Sequence, residues 1–208
     1  NAQDLAAIQS DIILRFQVRC ETLTRDLQVS DAREIRESCL SLFPDLNKIF
    51  LIAGSSVPSE DFYALSEETA ISLMQVNFQA PILLAKTFFP QLCRTGGNLV
   101  GIGTVASIRP RSKNTIYAAS KTGFEFFCKG LRHAGVKNRV TVQFYRLGFT
   151  RTRMLTKSGL IPVADPDWVA LKIIQNLNKD FPSRYLPRWW WVISAVYRII
   201  PWFIFRRL

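Results

Sequence analysis

A tyrosine and a lysine stand four residues apart in a stretch whose apolar residues recur at helical spacing. Tyr117 and Lys121 lie in the segment IYAASKTGFEFFCKGL, and two helical residues at this spacing project from one face, one turn apart. A phenol with a pKa of about 10 is a poor acid or base at neutral pH, but an adjacent ammonium stabilises the phenolate and lowers that pKa. The pair therefore has the chemistry to pass a proton to or from a substrate oxygen.

A threonine upstream is placed to bind the same oxygen. The run NLVGIGT predicts a buried strand that ends at Thr104, thirteen residues before Tyr117. Open α/β sheets bind their ligands at the carboxyl ends of the strands, so we expect the Thr104 hydroxyl beside the phenol. A tyrosine and a lysine at this spacing are more often a packed ring and a solvated amine, so the motif depends on its neighbours.

Further motifs surround this stretch. GTVAS precedes Tyr117, YAASK contains the tyrosine and the lysine, and a later predicted strand ends in RLGFTRTRM. Together these motifs resemble the short-chain dehydrogenase/reductase family, with its S…Y-x-x-x-K signature and the P-G-x-x-x-T motif that follows. The resemblance extends from about residue 26 to residue 187. It implies a Rossmann-type, doubly wound parallel α/β sheet and an oxidoreductase that uses a nicotinamide cofactor.

The resemblance also implies roles for individual residues. Tyr117 is expected to be the catalytic acid/base, and Lys121 is expected to lower its pKa and to hold the nicotinamide ribose. Thr104 stands at the position of the family's catalytic serine, and Asn77 at that of the asparagine that maintains the proton relay. The other expected cofactor contacts are Asp26, Leu27, Ala53, Gly54, Gly148, Thr150 and Thr152. The habit of reductive family members favours NADPH over NADH.

Three positions depart from the family pattern. Thr104 keeps the hydroxyl of the serine but adds a methyl group. The family's N-N-A-G is replaced by the four residues Leu51-Ile52-Ala53-Gly54, so the amide that braces the sheet is absent. Leu147 stands where the proline of P-G is expected. None of these changes touches the pair formed by Tyr117 and Lys121.

The N-terminal residues lack the element that normally binds a dinucleotide. An amphipathic helical pattern opens the chain, the run CETLTRDL predicts a strand, and no glycine occurs before Gly54. The glycine-rich turn that holds the pyrophosphate is therefore expected upstream of Asn1. We expect a chain that lacks about 30–40 residues, one βαβ unit, and that alone binds a dinucleotide poorly and can be inactive. A complete protein of another fold is the alternative.

The rest of the pattern supplies a sheet and its connecting helices. KIFLIAG predicts a buried parallel strand, and SEETAISLMQVNFQAPILLAKTFFPQL predicts one long helix, capped by Ser66 and ending near Pro90. RVTVQFY and SRYLP predict the last two strands, and DPDWVALKIIQNLNKD predicts a capped amphipathic helix between them. The sequence thus predicts a single α/β domain over residues 1–187.

Positive charge is concentrated in the half of the chain that holds the motif. The net charge is +11, and residues 77–150 hold one acid and eleven bases. Arg109, Arg111 and Arg153 lie in loops expected beside the substrate, and such a rim suits a phosphate group, although a solvated basic loop has the same sequence. No recognition motif accompanies the charge, so nucleic acid is disfavoured. Four widely spaced cysteines and a single histidine give no zinc or disulfide pattern.

Residues 188–208 form a separate C-terminal segment. Seventeen mostly apolar residues between Trp189 and Phe205 are interrupted by Arg198 and Pro201. A transmembrane helix needs about twenty apolar residues and tolerates a central charge poorly, so the segment is marginal as a span. Tryptophans flanked by arginines instead indicate a helix that lies in the interface of an anionic leaflet. A dimer-interface or domain-covering helix is the alternative.

These features define an expected function and its alternatives. With the run IGTVAS-x-R-x-R-x-x-N-x-x-Y-x-x-x-K, the chain is similar to the decaprenylphosphoryl-ribose 2-keto reductases. We therefore expect it to reduce a keto group on a lipid-linked, phosphate-bearing substrate with Tyr117 as proton donor. The expected location is the cytoplasm, at the inner face of the cell membrane. The resemblance also implies a homodimer, since family members usually pair through the helices of Asn77 and Tyr117. The alternatives are a membrane-associated reductase of another lipid ketone, such as a 3-ketosphingoid or 3-oxoacyl chain, and a non-catalytic membrane-bound module.

Overall fold

The computed structural model describes residues 2–57, 63–109, 111–152, 154–155 and 161–207. Strands and helices alternate along most of these ranges. The helices are α1 (Ala2–Phe16), α2 (Ala32–Leu42), α3 (Glu67–Met74), α4 (Ala80–Thr95), α5 (Thr115–Lys137), α6 (Pro166–Ile174), α7 (Trp190–Ile199) and α8 (Trp202–Phe205). The strands are β1 (Lys48–Leu51), β2 (Asn98–Thr104), β3 (Thr141–Leu147) and β4 (Arg184–Leu186).

The four strands form one parallel sheet in the order β1-β2-β3-β4, which confirms the expected α/β class. Thr104, the last residue of β2, pairs with Leu147, the last residue of β3, so these two strands end together. The strand expected from KIFLIAG is present and parallel, but only Leu51 within it is buried. It is an edge strand of the described sheet, with β2 as its one neighbouring strand there, and Phe50 is exposed.

Alternate residues of the strands pack into two cores. The core on one face comprises Leu51, Ala85, Leu92, Leu99, Phe124, Cys128, Val140, Val142 and Phe144, from the sheet, α4 and α5. The core on the other face comprises Val100, Ile102, Tyr145, Ala164, Val169, Ile173, Leu177, Phe181 and Leu186, from the sheet, α6 and its flanking loops. Because successive side chains of a strand point to opposite faces, Leu99 and Val100 enter different cores. Helices therefore cover both faces of the sheet, as a doubly wound fold requires.

The segment expected as one long helix is interrupted by a wider turn. A π-helical turn, Gln75–Gln79, joins α3 to α4. Ser66 caps α3 as expected, because its hydroxyl accepts a hydrogen bond from the backbone N–H of Thr69. Single π turns inside helices are frequent at functional sites, and this one carries Asn77.

The expected helix end near Pro90 is wrong. The helix α4 continues through this proline to Thr95, where Gly96 adopts the left-handed conformation with φ of 68° and donates its N–H to Leu92 O. A proline inside a helix removes one N–H donor and can bend the helix, but it does not prevent the next turn from forming. The left-handed glycine is what ends this helix.

The strand expected from CETLTRDL is also wrong. Residues 17–26 follow α1 without regular secondary structure. Side chains hold this segment instead, since Gln9 Nε2 donates to Cys20 O at 2.7 Å and the Thr22 hydroxyl donates to Gln9 Oε1 at 3.3 Å. A β-strand needs a neighbouring strand for its N–H and C=O groups, and this segment has none in the described sheet.

The C-terminal residues form two short helices with two unlike faces. Trp190, Ser194 and Phe205 are buried against the domain. The exposed large apolar side chains are Trp189, Trp191, Val192, Val196, Ile199, Trp202, Phe203 and Ile204. In the part of the chain that the structure describes, no helix combines the length and the hydropathy needed to cross a bilayer.

Candidate active site

The reactive side chains meet at the end of the sheet where β2 and β3 finish. Tyr117 and Lys121 project from the first two turns of α5, and Thr104 is the last residue of β2. All three line one cleft of about 380 Å³. The structure thus brings together the phenol, the amine and the hydroxyl that the spacing singled out. Among the described residues, no group of three or more His, Cys, Asp or Glu side chains is arranged to hold a metal ion.

Lys121 is held deep in this cleft. It is 4% exposed, and its Nζ donates to Ala53 O at 3.1 Å and to Ile102 O at 3.5 Å. Burial favours the neutral amine and lowers the pKa of Lys121 to about 8. A carbonyl of the loop after β1 and a carbonyl of β2 therefore fix the amine one helical turn from Tyr117.

Asn77 lies in the π-helical turn and is fully buried. Its Nδ2 donates to Ser55 O at 2.8 Å, and its Oδ1 accepts from Ser55 N at 2.9 Å. These two bonds hold the loop that follows β1. A methyl group added to Gly54 would lie 3.0 Å from Lys121 Nζ and 3.3 Å from Asn77 Oδ1. The glycine therefore lets the loop approach both side chains closely.

Thr104 ends its strand and starts a turn. Its Oγ1 accepts a hydrogen bond from Ala106 N at 3.1 Å, which caps the short 3₁₀ helix Val105–Ile108. This bond uses a lone pair of the oxygen and not the hydroxyl proton, so the proton can be donated to a substrate oxygen. The nearby Ser107 hydroxyl donates to the carbonyl of Thr104 at 2.7 Å, so it is engaged with the backbone.

The cleft contains several of the residues that were predicted to contact the cofactor. Its lining includes Gly54, Gly148, Thr150 and Thr152, all of which were predicted as cofactor contacts. Glycines on two sides allow a flat ring to approach the backbone closely. Lys121 would bind the ribose and Thr152 the carboxamide, while Ala53 contributes through the carbonyl that holds Lys121.

Asp26 and Leu27 lie away from this cleft. The exposed Asp26 carboxylate accepts from Gln28 N at 2.9 Å, within the turn that leads into α2. Leu27 lines a separate groove between α2 and the π-helical turn. The structure does not bring these two residues to the nicotinamide end, and their contact with an adenine stays a prediction.

The three predicted substrate arginines have different surroundings. Arg109 donates from Nη1 to the carbonyls of Tyr197, at 2.8 Å, and Ile200, so its guanidinium binds the end of α7. Arg111 is exposed on the same loop. Arg153 lies outside the described residues.

A second cavity of about 270 Å³ adjoins the cleft. The two share Thr104 and Gly148 in their linings. The far wall of the cavity is formed by Trp190, Ile193, Ser194 and Tyr197 of α7. These four residues were not predicted as site residues from the sequence. The available signal was their spacing of three or four, which places them on one face of a helix.

A buried ion pair joins α5 to β3. Glu125, one turn beyond Lys121, accepts from Arg146 Nε at 2.8 Å and also from Arg146 Nη2, and Lys129 adds a contact at 2.8 Å. Burial raises the pKa of Glu125, but these hydrogen bonds outweigh it and the net pKa lies below its ordinary value. Arg146 lies two residues before Gly148, so the pair fixes the helix of the reactive side chains against the end of β3. The sequence signal was that Glu125 is the only acid among residues 77–150.

We expect Lys121 to titrate near pH 8. The measurement is the ¹³Cε chemical shift of labelled lysines, and the Lys121→Met variant identifies the resonance by its loss. Between this pH and 10.5, the ordinary lysine value, the unfolded chain binds more protons than the folded chain, so stability rises with pH. Below pH 8 the full cost of burying the charge is present.

The same titration has a consequence for folding. Measured against the Lys121→Met variant, the free energy of unfolding of the wild type should gain roughly 3 kcal/mol as pH rises from 8 to 10.5. The variant is the reference because it shares every other titrating group. A difference between the two proteins that stays constant over this range would contradict the burial of a charge at Lys121.

Proteins of known families are similar to this chain. The sequence model of the family described as short chain dehydrogenase matches residues 5–160. Carbonyl reductase family member 4 of Xenopus laevis is 28% identical over 171 residues, which cover 76% of this chain and 72% of that protein. An uncharacterized oxidoreductase of Mycobacterium tuberculosis is 28% identical over 145 residues, which cover 67% of this chain and 57% of that protein.

A solved structure shares the architecture. The alcohol dehydrogenase from the archaeon Thermococcus sibiricus, complexed with 5-hydroxy-NADP, superposes with a TM-score of 0.75 at 22% identity, covering 89% of this chain and 80% of that one. This likeness shows the common α/β fold. The matched range of 5–160 contains Asn77, Thr104, Tyr117 and Lys121. The chain therefore belongs to the short-chain dehydrogenase family of NAD(P)-dependent oxidoreductases.

Proposed function

We propose that this oxidoreductase reduces a keto group on a lipid-linked, phosphate-bearing substrate of the polyprenyl-phosphate keto-sugar type. The observation that carries the proposal is the cavity beside the reactive cleft. Its lining is mostly apolar, including Ile108, Phe149 and Ile193, while the exposed Arg111 lies at its edge. An apolar chain and an anionic group on one substrate would each meet a matching surface there.

The reduction assigns one task to each reactive side chain. Tyr117 donates its phenolic proton to the carbonyl oxygen as that oxygen becomes an alcohol. The charged form of Lys121 stabilises the phenolate that remains. Thr104 donates a hydrogen bond to the same oxygen and orients the carbonyl in the cleft. A bound nicotinamide supplies the hydride when the substrate is reduced.

Two neighbouring elements keep these groups in place. Asn77 holds the loop after β1 through Ser55, and that loop carries the carbonyl of Ala53 that binds Lys121. The ion pair of Arg146 and Glu125 holds α5 against β3. The reactive groups are thus anchored to the sheet from two sides, which favours a fixed geometry over a mobile one.

NADPH is the proposed cofactor. Reductive members of the family commonly use it, and the Thermococcus sibiricus enzyme was solved with an NADP derivative. We expect the full-length native protein to show a kcat/KM for NADPH at least about tenfold above that for NADH, as one charge-assisted contact to a phosphate provides. Equal values would remove the preference while leaving the reductase reaction intact.

A reductase of another lipid ketone is the second candidate. The apolar lining of the second cavity favours it, because a 3-oxoacyl or 3-ketosphingoid chain needs no phosphate contact. The exposed Arg111 is what distinguishes the two, since only the first substrate offers a partner for a guanidinium.

The test compares two probes in the full-length native protein with NADPH. A decaprenylphosphoryl 2-keto pentose should be reduced with a kcat/KM at least about tenfold above that of a 3-oxoacyl N-acetylcysteamine thioester, which carries no phosphate. Replacement of Arg111 by glutamine should lower the value for the phosphate-bearing probe about tenfold, while the matched change Lys113→Gln in the same loop should not. Reduction of the thioester alone would establish the second candidate, and reduction of neither probe would contradict both.

A further inference from the structure

The helices α7 and α8 present a large apolar surface to solvent. Along α7, Trp191, Val192, Val196 and Ile199 are exposed, the last at 79%, and Trp202 of α8 is 67% exposed. A solvent-exposed apolar surface of this extent generally marks an interaction site. Tryptophan is the side chain most typical of the boundary between a bilayer and water.

The charge on the same surface has one sign. No acid follows Asp180 in the sequence, and the exposed arginines Arg188, Arg198, Arg206 and Arg207 lie among and beside the apolar residues in the sequence. At an anionic surface each such arginine strengthens binding about fivefold at moderate salt. A second copy of this chain would bring four like charges to face these four and would be repelled. The surface is therefore complementary to negative charge.

The opposite face of α7 belongs to the substrate cavity. Trp190, Ile193, Ser194 and Tyr197 form its wall, as described above. One helix thus separates the exposed apolar surface from the cavity that leads to Thr104. Its two faces alternate at helical spacing, with Trp190 facing inward and Trp191 outward.

Arg109 ties this helix to the reactive loop. Its guanidinium satisfies carbonyls at the last turn of α7, where a cation is favourable, and it lies 3.9 Å from the ring centroid of Phe205 in α8. Arg109 follows Thr104 by five residues. One side chain therefore fixes both C-terminal helices relative to the end of β2.

We propose that α7 and α8 bind an anionic lipid surface through their outward face while their inward face remains the wall of the substrate cavity. Arg109 holds both helices beside the reactive loop. The apolar part of a substrate then passes from the lipid surface along α7 to the reactive cleft. This inference rests on the proposed lipid-linked substrate for its purpose. Binding to lipid requires no turnover and can be measured separately.

The first test is flotation of the full-length native protein with vesicles. Vesicles of phosphatidylcholine with about one third phosphatidylglycerol should bind the protein at least tenfold more tightly than phosphatidylcholine alone, with binding weakened by about 500 mM salt. The double change Trp191→Gln/Trp202→Gln should lower binding at least about tenfold. The matched change Leu171→Gln, at an exposed apolar position on α6, should not. Unchanged binding by the double variant would contradict the surface assignment.

Failure to bind vesicles would also overturn the inference. If the protein instead formed a dimer that the double variant abolished, as measured by sedimentation, the outward face would be a protein interface. A reductase that acts on the phosphate-bearing probe in detergent without binding vesicles would keep the proposed function and lose this inference. Vesicle binding without reduction of either probe would keep the lipid-binding inference and contradict the proposed function.

The second test addresses Arg109. The Arg109→Gln variant should exchange backbone amide hydrogens faster in residues 190–205, at least about tenfold, because the last carbonyls of α7 lose their donor. Exchange in α6 is the internal control. The outward face is unaltered, so the variant should still bind anionic vesicles. Unchanged exchange in residues 190–205 would show that Arg109 does not couple the helices to the loop.

Discussion

Turnover by the full-length native protein falls at least about 100-fold when Tyr117 is replaced by phenylalanine. The change removes the transferable proton but keeps the ring, so the packing of α5 at the cleft is preserved. Lys121 retains its bonds to the carbonyls of Ala53 and Ile102. Because the variant loses a group that acts in the transition state, the loss should appear in kcat rather than in cofactor binding.

The assay follows NADPH oxidation with the carbonyl probe, and cofactor affinity is measured separately by nucleotide fluorescence. The control is Tyr63→Phe, which removes a phenol from a tyrosine that is 95% exposed, outside the cleft. Its turnover should match that of the wild type. Full turnover in Tyr117→Phe would eliminate the phenol as the proton donor and with it the proposed mechanism.

Replacement of Gly148 by alanine is expected to destabilise the protein and to dislodge α7. A methyl group at this position would lie 1.7 Å from Nε1 and 2.3 Å from Cδ1 of Trp190. The indole cannot move aside easily, because it is buried, stacked on Trp189 at 5.0 Å and in edge contact with Phe149 at 5.5 Å. Overpacking of this kind costs about 1–3 kcal/mol. The melting temperature should fall by roughly 2–4 °C per kcal/mol.

Two further variants separate this clash from a general effect of alanine. Gly130→Ala is the control, since its added methyl group meets nothing within 4 Å on α5, and alanine there should stabilise the helix by about 0.5–1 kcal/mol. In a Trp190→Phe background the cost of Gly148→Ala should shrink, because the smaller ring leaves room. An undiminished cost in that double variant would place the clash elsewhere than at the indole.

The reactive groups could be predicted from the sequence because their positions follow from local spacing. Tyr117 and Lys121 share a helix face because of the helical period of 3.6 residues. Thr104 ends a strand that a short, continuous apolar run predicts. The cleft that holds them follows from the rule that parallel sheets bind ligands at their carboxyl ends. These predictions needed no knowledge of distant contacts.

The remaining features depend on contacts between distant parts of the chain. The run CETLTRDL has the composition of a strand, but a strand forms only where a partner strand is present. In the sequence, Arg109 has the pattern of a solvated loop residue. In the structure it lies beside α7, and its guanidinium binds carbonyls 88 and 91 residues away. The continuation of α4 through Pro90 likewise reflects its packing on the sheet, which outweighs the local cost of one lost hydrogen bond.

The π-helical turn at Gln75–Gln79 makes the geometry of the site depend on chain length as well as on residue identity. A residue added to or removed from a helix rotates everything beyond it by about 100°. A homologue with one residue fewer in this turn would still show an asparagine in the aligned column, yet its amide would face away from Ser55. To assign the role of this asparagine in a relative therefore requires the backbone path of its helix, because a sequence alignment does not show the rotation.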